Sequence, residues 1–438
     1  MINYSLFVKE KLKSIIADMA SRKDEFVKDP GKDFTRRRKL SFEETINFML
    51  SMGGGSLNYE LLEHFSYDPK VATSSAFIQQ RDKLHTRAFQ FLLNEFTHSF
   101  ENLTLYQGYR LVAVDGSDLL IPHDPSDQQT YFQSTPNSKG YNLVHVNAMY
   151  DLCNKVYLDA CIQPGRNKNE FKALTDMVDG SALKDKNVIV IADRGYESYN
   201  VFAHIEEKGW KYIIRVKDAK SKGIVSSLDL PKTGEFDCQL TRILTRKQTS
   251  VIKSRPDIYK FMPNNSTFDY LESVGQTYYS LSFRVVCVKI DKNNYQTLIT
   301  NLEPEEFGLE QIKELYRMRW GIETSFRELK HTIGLVNLHS KKMECIMQEV
   351  FARMVMYNFC EIITLHVVIQ QKSRKYDYQV NFSKAMSICR HFFKTLVNAH
   401  PPDIEALIQK YILPIRQGRT HPRKIRFGTF VSFNYRIA

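Results

Sequence analysis

Residues 109–217 alternate strand-like and helix-like runs in an order that few folds accommodate. Residues 110–116 are a short apolar run ending in Asp115 and Gly116. Residues 141–151 and 155–162 read as two more strands, joined at Cys153-Asn154 in an expected hairpin. Residues 168–178 have helical periodicity, and residues 187–193 form a buried apolar strand that again ends in aspartate, Asp193. After Arg194-Gly195-Tyr196 come a helical run at 197–208 and a strand at 211–217. Three strands, a helix, a strand, a helix and a strand predict an α/β fold, a mixed sheet with flanking helices. The first and fourth strands are expected side by side, so Asp115 and Asp193 would meet at one sheet edge.

A second constraint is the stretch YRMRWGIETSFRELK, residues 316–330. Tyr316, Arg319 and Lys330 stand seven before, four before and seven after Glu323. At about 100° per residue, a helix carries all four on one stripe, with Arg327 beside it. Leu315, Ile322, Phe326, Leu329 and Ile333 form an adjacent apolar stripe. Charged pairs at this spacing are commonly a solvated salt-bridge face. The two strand-end aspartates argue for more. Three carboxylates at one edge repel unless cations neutralise them, and an all-oxygen donor set selects Mg²⁺ or Mn²⁺ over zinc. Two such ions about 4 Å apart would serve phosphodiester chemistry.

The rest of the chain fits a nucleic-acid enzyme. With 61 Lys and Arg against 49 Asp and Glu, the net charge is +12, which favours a polyanionic partner, nucleic acid before an anionic membrane surface. The seven cysteines form no CxxC pair and read as reduced thiols of a cytoplasmic protein. The first residues lack a signal-peptide pattern. Residues 351–369 come nearest to a membrane span, but Arg353, Glu361 and His366 interrupt them, so a buried helix is expected and no membrane partner.

The expected organisation has five parts. Residues 1–105 are a helical DNA-binding region, with a basic run at 35–39, a capping-box pattern at 41–44, a helix ending at Gly53-Gly54-Gly55, another from Ser56, and a third over 75–100. Residues 106–217 and 303–350 make the two parts of a catalytic core, separated by a β-rich insertion at 218–302. Residues 351–438 are a helical C-terminal region with a basic tail: Arg416, Arg419, Arg423, Lys424 and Arg426.

On these motifs the chain resembles the DDE transposases of bacterial insertion sequences, in the IS-four family with its YREK signature. Tyr316, Arg319, Glu323 and Lys330 match that signature without a gap, while Val114-Asp115-Gly116-Ser117 and Ala192-Asp193-Arg194-Gly195-Tyr196 resemble its two aspartate motifs. The similarity spans roughly residues 36–350. It implies a ribonuclease-H-like core interrupted by a β insertion, with Asp115, Asp193 and Glu323 as catalytic residues and ligands of two Mg²⁺ ions, which Mn²⁺ can replace. It implies Tyr316, Arg319 and Lys330 as contacts to the transposon end. Arg194 and Arg327 join these DNA contacts by proximity alone. Relatives that pass through a DNA hairpin stack a flipped base on an insertion tryptophan. Here Trp210 and Trp320 lie outside the insertion, and Tyr295 offers the substitute π face. Trp320 is expected to pack beneath the signature helix. Asp118 competes with Asp115 as ligand, and the resemblance favours Asp115.

The expected function is Mg-dependent cleavage at terminal inverted repeats and strand transfer into target DNA. A homodimer in the DNA complex and a nucleoid-associated bacterial cytoplasmic location go with it. The alternatives are a catalytically idle or domesticated DNA-binding protein of the same fold, and a nuclease acting on RNA or branched junctions.

Overall fold

The computed structural model describes residues 4–100, 103–183, 187–218, 223–231, 233–272, 275–291, 294–367, 376–395 and 403–415, with residues 221 and 369. Its N-terminal helices are α1 (Tyr4–Ser21), α2 (Phe42–Ser51), α3 (Leu57–His64), α4 (Ser74–Arg81) and α5 (Arg87–His98). Ser41 caps α2 by accepting from the Glu44 amide at 3.1 Å. Only this half of the expected capping box forms, because the Glu44 carboxylate turns to His64 at 2.6 Å. The single helix expected over 75–100 is two, α4 and α5. Between them the Lys28 amide donates to the Lys83 carbonyl and the His85 amide to the Phe26 carbonyl, both at 2.9 Å. Backbone groups used this way cannot also complete a helical ladder.

The core begins with β1 (Arg110–Ile121), β2 (Tyr131–Phe132), β3 (Tyr141–Asp151) and β4 (Val156–Pro164), then α6 (Glu170–Asp179), β5 (Val188–Ala192), α7 (Tyr199–Glu207) and β6 (Lys211–Arg215). β3 pairs antiparallel with both β1 and β4. β5 joins the other side of β1 in parallel, from Arg110↔Val188 to Val114↔Ala192, and β6 is parallel to β5. The order β4-β3-β1-β5-β6, with helices crossing over between the parallel strands, is the ribonuclease-H-like arrangement. β5 reads VIVIA and is buried throughout, as a parallel strand covered on both faces must be.

The β-rich stretch that follows extends this same sheet. It consists of β7 (Phe236–Thr245), α8 (Ser250–Ser254), β8 (Tyr259–Phe261), β9 (Tyr278–Lys289) and β10 (Tyr295–Thr300). β10 pairs antiparallel with β6, and β9, β7 and β8 follow outward, giving ten strands in all.

The signature stretch was expected to be one helix and is two, α9 (Leu309–Met318) and α10 (Trp320–His331), with Arg319 at the joint. There the Arg319 amide donates to the Tyr316 carbonyl at 3.2 Å and the Ile322 amide to Arg319 at 3.1 Å. These i→i−3 bonds tighten the backbone locally. Gly321 follows, where an added Cβ would come within 2.9 Å of the tip of the Leu152 side chain in the β3–β4 turn.

α11 (Met343–Leu365) is buried almost all round and packs against α1, α2, α5 and β4. Beyond it come β11 (Tyr378–Val380), α12 (Phe382–Lys394), α13 (Ile404–Lys410) and β12 (Ile412–Pro414). Among the described residues no helix is long and apolar enough to cross a membrane. The basic tail at Arg416, Arg419, Arg423, Lys424 and Arg426 lies outside the described residues.

Candidate active site

Strand alternation sets the direction of the acids. Leu111, Ile189, Ile191 and Ile213 pack with Ile312, Leu315 and Tyr316 of α9, while Val112, Val114, Val190 and Ala192 face the main core. Asp115 and Asp193 share the parity of the first set and come one residue past the last β1–β5 pair, Val114↔Ala192. They stand on adjacent strands, on the side covered by α9 and α10. Asp193 lies just past the end of β5, whereas Asp115 does not end its strand as expected but lies within β1, which runs on to Ile121 because β3 continues to pair with it. Glu323 joins them from the first turn of α10.

Arg319 binds two of these acids. Its Nη1 lies 3.5 Å from Asp115 Oδ2 and its Nη2 lies 2.8 Å from Glu323 Oε1. The guanidinium is buried, with Tyr316 and Trp320 ring centroids each 5.6 Å away. The Asp115 carboxyl is pushed up to about 6, first by burial. Arg319 and the Gly116 amide pull it down, and the charges of Asp193 and Glu323 push it further up. Asp115 therefore feels the charges of both other acids. Asp193 also accepts from the Gly195 amide at 2.8 Å, which caps the tight turn Arg194–Tyr196.

Lys330 secures the far end of α10, donating at 2.7 Å to Ser117 Oγ and to the Asp118 carbonyl. Burial lowers its pKa. The Asp118 carboxylate points to the opposite face of β1, paired with His145 at 2.6 Å and Lys168 at 3.5 Å. Tyr316 is buried, and neither its hydroxyl nor the Arg319 Nε has a hydrogen-bond partner. Such orphaned donors beside a cationic group suit phosphate oxygens.

Arg194 and Arg327 are exposed and stand outside this ion-paired cluster. Tyr295 is exposed at the start of β10; because β10 runs antiparallel to β6 with Leu298↔Arg215, its first residues reach the same sheet edge. Trp320 is not packed beneath the helix as expected. It is 54 % exposed, because at about 100° per residue position 320 lies roughly 140° round the helix from the apolar stripe that is buried. The sequence reading also passed over His145 and Glu170, which approach the aspartate loops from β3 and α6. Their spacing carries no signal, because strand register and helix packing bring them there.

The donors fit a hard divalent cation in kind: three carboxylates from within β1, from just past β5 and from one helix. As the side chains lie, no group of three possible ligands among the described residues stands close enough to hold one. The Arg319 guanidinium takes the position between Asp115 and Glu323 instead.

A family model described as the transposase DDE domain matches residues 106–359. The chain is 23% identical over 376 residues to the transposase InsG for insertion sequence element IS4 of Escherichia coli (strain K12), covering 82% of this chain and 77% of that protein. It is 23% identical over 275 residues to the transposase for insertion sequence element IS1151 of Clostridium perfringens, covering 56% and 55%. Among solved structures it is similar to the piggyBac transposase synaptic complex with hairpin DNA, with a TM-score of 0.46, 12% identity and coverage of 95% and 87%. With the family match spanning more than half of its length, the chain belongs to the DDE transposases, in the IS4 family.

Proposed function

We propose that this transposase binds the terminal inverted repeats of an insertion sequence, cleaves a DNA strand at their ends, and joins the freed 3′-hydroxyl to target DNA. What supports this is that Arg319 ion-pairs with both Asp115 and Glu323, with Asp193 just past the end of the strand beside Asp115. Asp115, Asp193 and Glu323 would hold two Mg²⁺ ions. Bound there, the ions would supply activation of a water or 3′-hydroxyl and charge compensation at the leaving oxygen.

The chain's own groups do the rest. Arg319 gives its guanidinium to a phosphate oxygen and releases the two carboxylates. The Tyr316 hydroxyl gains the partner it lacks. Lys330, tied to β1, keeps α10 in register and brings a cation beside the DNA. Arg194 and Arg327 lie further out as backbone contacts, and Tyr295 is a stacking surface at the same edge. The helical region of residues 1–105 contributes end binding through its exposed run Arg36-Arg37-Arg38-Lys39. The working unit is a homodimer on DNA.

Glu323→Gln preserves size and removes the charge. It should abolish Mg-dependent cleavage of a labelled end while leaving gel-shift binding of that end intact. Cleavage at the wild-type rate would overturn the assignment.

A further inference from the structure

The segment before α2 and the last turn of α4 enclose a cavity of about 690 Å³, within the usual size range of small-molecule sites. Backbone bonds stitch its two walls together. The Lys28 amide donates to the Lys83 carbonyl at 2.9 Å, and Val27 pairs with Leu84. Within the segment the Asp29 amide donates to Asp33 Oδ2 at 3.1 Å and the Thr35 hydroxyl to the Lys32 carbonyl at 2.9 Å. Phe34 stands in the left-handed region at φ 54°, which a bulky residue rarely adopts, and its ring meets Phe42 edge-on at 5.7 Å. The wall is held open by its own contacts.

The charges around this space do not cancel. Of the lining acids, Asp29 lies 3.5 Å from Lys32, Asp33 3.8 Å from Lys83 and Asp82 2.9 Å from Lys342. Lys28, also on the wall, is paired with Glu344 at 2.6 Å. Arg36 and Arg38 line the cavity as well, are exposed, and make no ion pair among the described residues. Two cations are left over for an anion.

Gln80, on the last turn of α4, faces the same space. It is 5% exposed, and its Oε1 has no hydrogen-bond partner. Arg81 beside it is fixed to Gln348 at 3.1 Å and Glu349 at 2.8 Å, which holds this end of α4 in place. A primary amide carries an acceptor next to donors. A guest that satisfies it must present a donor and an acceptor side by side, as the edge of a nucleobase does. Unpaired arginines suit the phosphate of the same guest.

We propose that this cavity is a nucleotide site, in which Gln80 reads a base edge and Arg36 and Arg38 hold the phosphate. The nucleotide comes from one of two sources with the same chemistry, extrusion from the bound end duplex or free mononucleotide. A base inside a duplex cannot reach a buried amide, so a DNA nucleotide must leave the stack to enter. This goes beyond the backbone contact given above for residues 36–39, which needs no base recognition.

The test uses the full chain in two arms. In the first, end duplexes carry one 2-aminopurine at successive positions and are saturated with protein; fluorescence rises where the base unstacks. In the second, AMP is titrated into the DNA-free protein by calorimetry. Wild type should give a rise at one position, bind AMP at one site, or both; the arm that responds identifies the source. Gln80→Leu should lose most of the rise and weaken AMP about tenfold or more. Arg36→Ala combined with Arg38→Ala should weaken AMP similarly, and because both side chains are exposed it carries the test if the Leu variant does not fold. Neither response in wild type, or responses that both variants leave unchanged, overturns the proposal. Gel shifts separate the two readings. If wild type retards the end duplex yet neither unstacks a base nor binds AMP, only the nucleotide site is wrong. If it does not retard the duplex, the end-binding role fails and AMP alone decides the cavity.

Discussion

Glu349 on α11 is the buried junction between the N-terminal helices and the end of the signature helix, and removing its charge should cost most of a typical domain's safety margin. Its Oε1 lies 2.8 Å from Arg81 Nη1 of α4, and both side chains are 2% exposed. The His339 amide donates to both oxygens at 3.0 and 3.1 Å, and His339 Nε2 reaches the Gly55 carbonyl at 3.0 Å. Arg353, 3.8 Å from Oε2, donates in turn to the Gly53 carbonyl at 2.7 Å and the Ile333 carbonyl at 2.8 Å. Burial alone would push the Glu349 carboxyl up. Arg81, His339 and Arg353 more than reverse this, holding it at about 2 against a usual 4.5. The direction means that the charged carboxylate stabilises the fold, while burial holds the Arg353 guanidinium down to about 10, which offsets part of that gain.

Glu349→Gln keeps the shape and strands two buried cations, a change that costs about 3–5 kcal/mol in comparable pairs. Urea unfolding followed by the fluorescence of the buried Trp210 should show a loss of about 3 kcal/mol at pH 7. The sign with pH is fixed. A carboxyl lowered in the fold contributes fully above its unfolded value and loses that contribution as pH falls toward its folded one. The gap between wild type and variant should therefore shrink to roughly 1 kcal/mol at pH 3. No loss at pH 7, or a gap equal at both pH values, would refute the reasoning.

Two further outcomes concern the site itself. Arg319→Gln should slow end cleavage roughly 100- to 1,000-fold, as loss of a preorganised charge partner does, with gel-shift binding of the end little changed. Asp115→Asn should stabilise the metal-free protein while abolishing cleavage. The Asp115 carboxyl sits at about 6 in the fold against a usual 3.8, so the wild type loses stability as pH rises through that window. Melting in EDTA should show the variant ahead by up to roughly 3 kcal/mol at pH 8 and by only about 0.5 kcal/mol near pH 4.

Local pattern made much of this fold legible. The buried VIVIA run, the aspartate that follows it and the spacing from Tyr316 to Lys330 depend on residues near one another in sequence, whereas the continuation of β1 past Asp115 to Ile121 depends on its distant partner β3. The parallel β1–β5 pair followed from element order alone. What stayed hidden depends on distant partners. The break between α4 and α5 arises because residues 26–28 take their backbone bonds. The joint at Arg319 carries no signal in the periodicity, whereas the exposure of Trp320 was legible, since position 320 lies roughly 140° round the helix from the apolar stripe. His145 and Glu170 belong to β3 and α6, and only the register Asp118↔His145 places them under the aspartates. The pairing of β10 with β6, which joins the β-rich stretch to the core sheet, is equally invisible to periodicity.

Apolar burial is non-directional, so the stripe of Ile322, Phe326 and Leu329 can hold α10 on the sheet without fixing its rotation or register. Directional bonds fix both. Ser325 Oγ meets the Tyr157 hydroxyl at 2.8 Å in the core, while Lys330 meets Ser117 at 2.7 Å two residues beyond Asp115 on the same face of β1. One bond lies two residues after Glu323 on the core side of the helix, the other seven residues after it on the side of the acids. A slide of one residue would break both and leave the buried Tyr157 hydroxyl unsatisfied, at about 1–3 kcal/mol for that group alone. The position of Glu323 opposite Asp115 is thus set by two polar contacts that follow it on α10, which lets Arg319 move between carboxylate and phosphate without moving the helix that carries the acid.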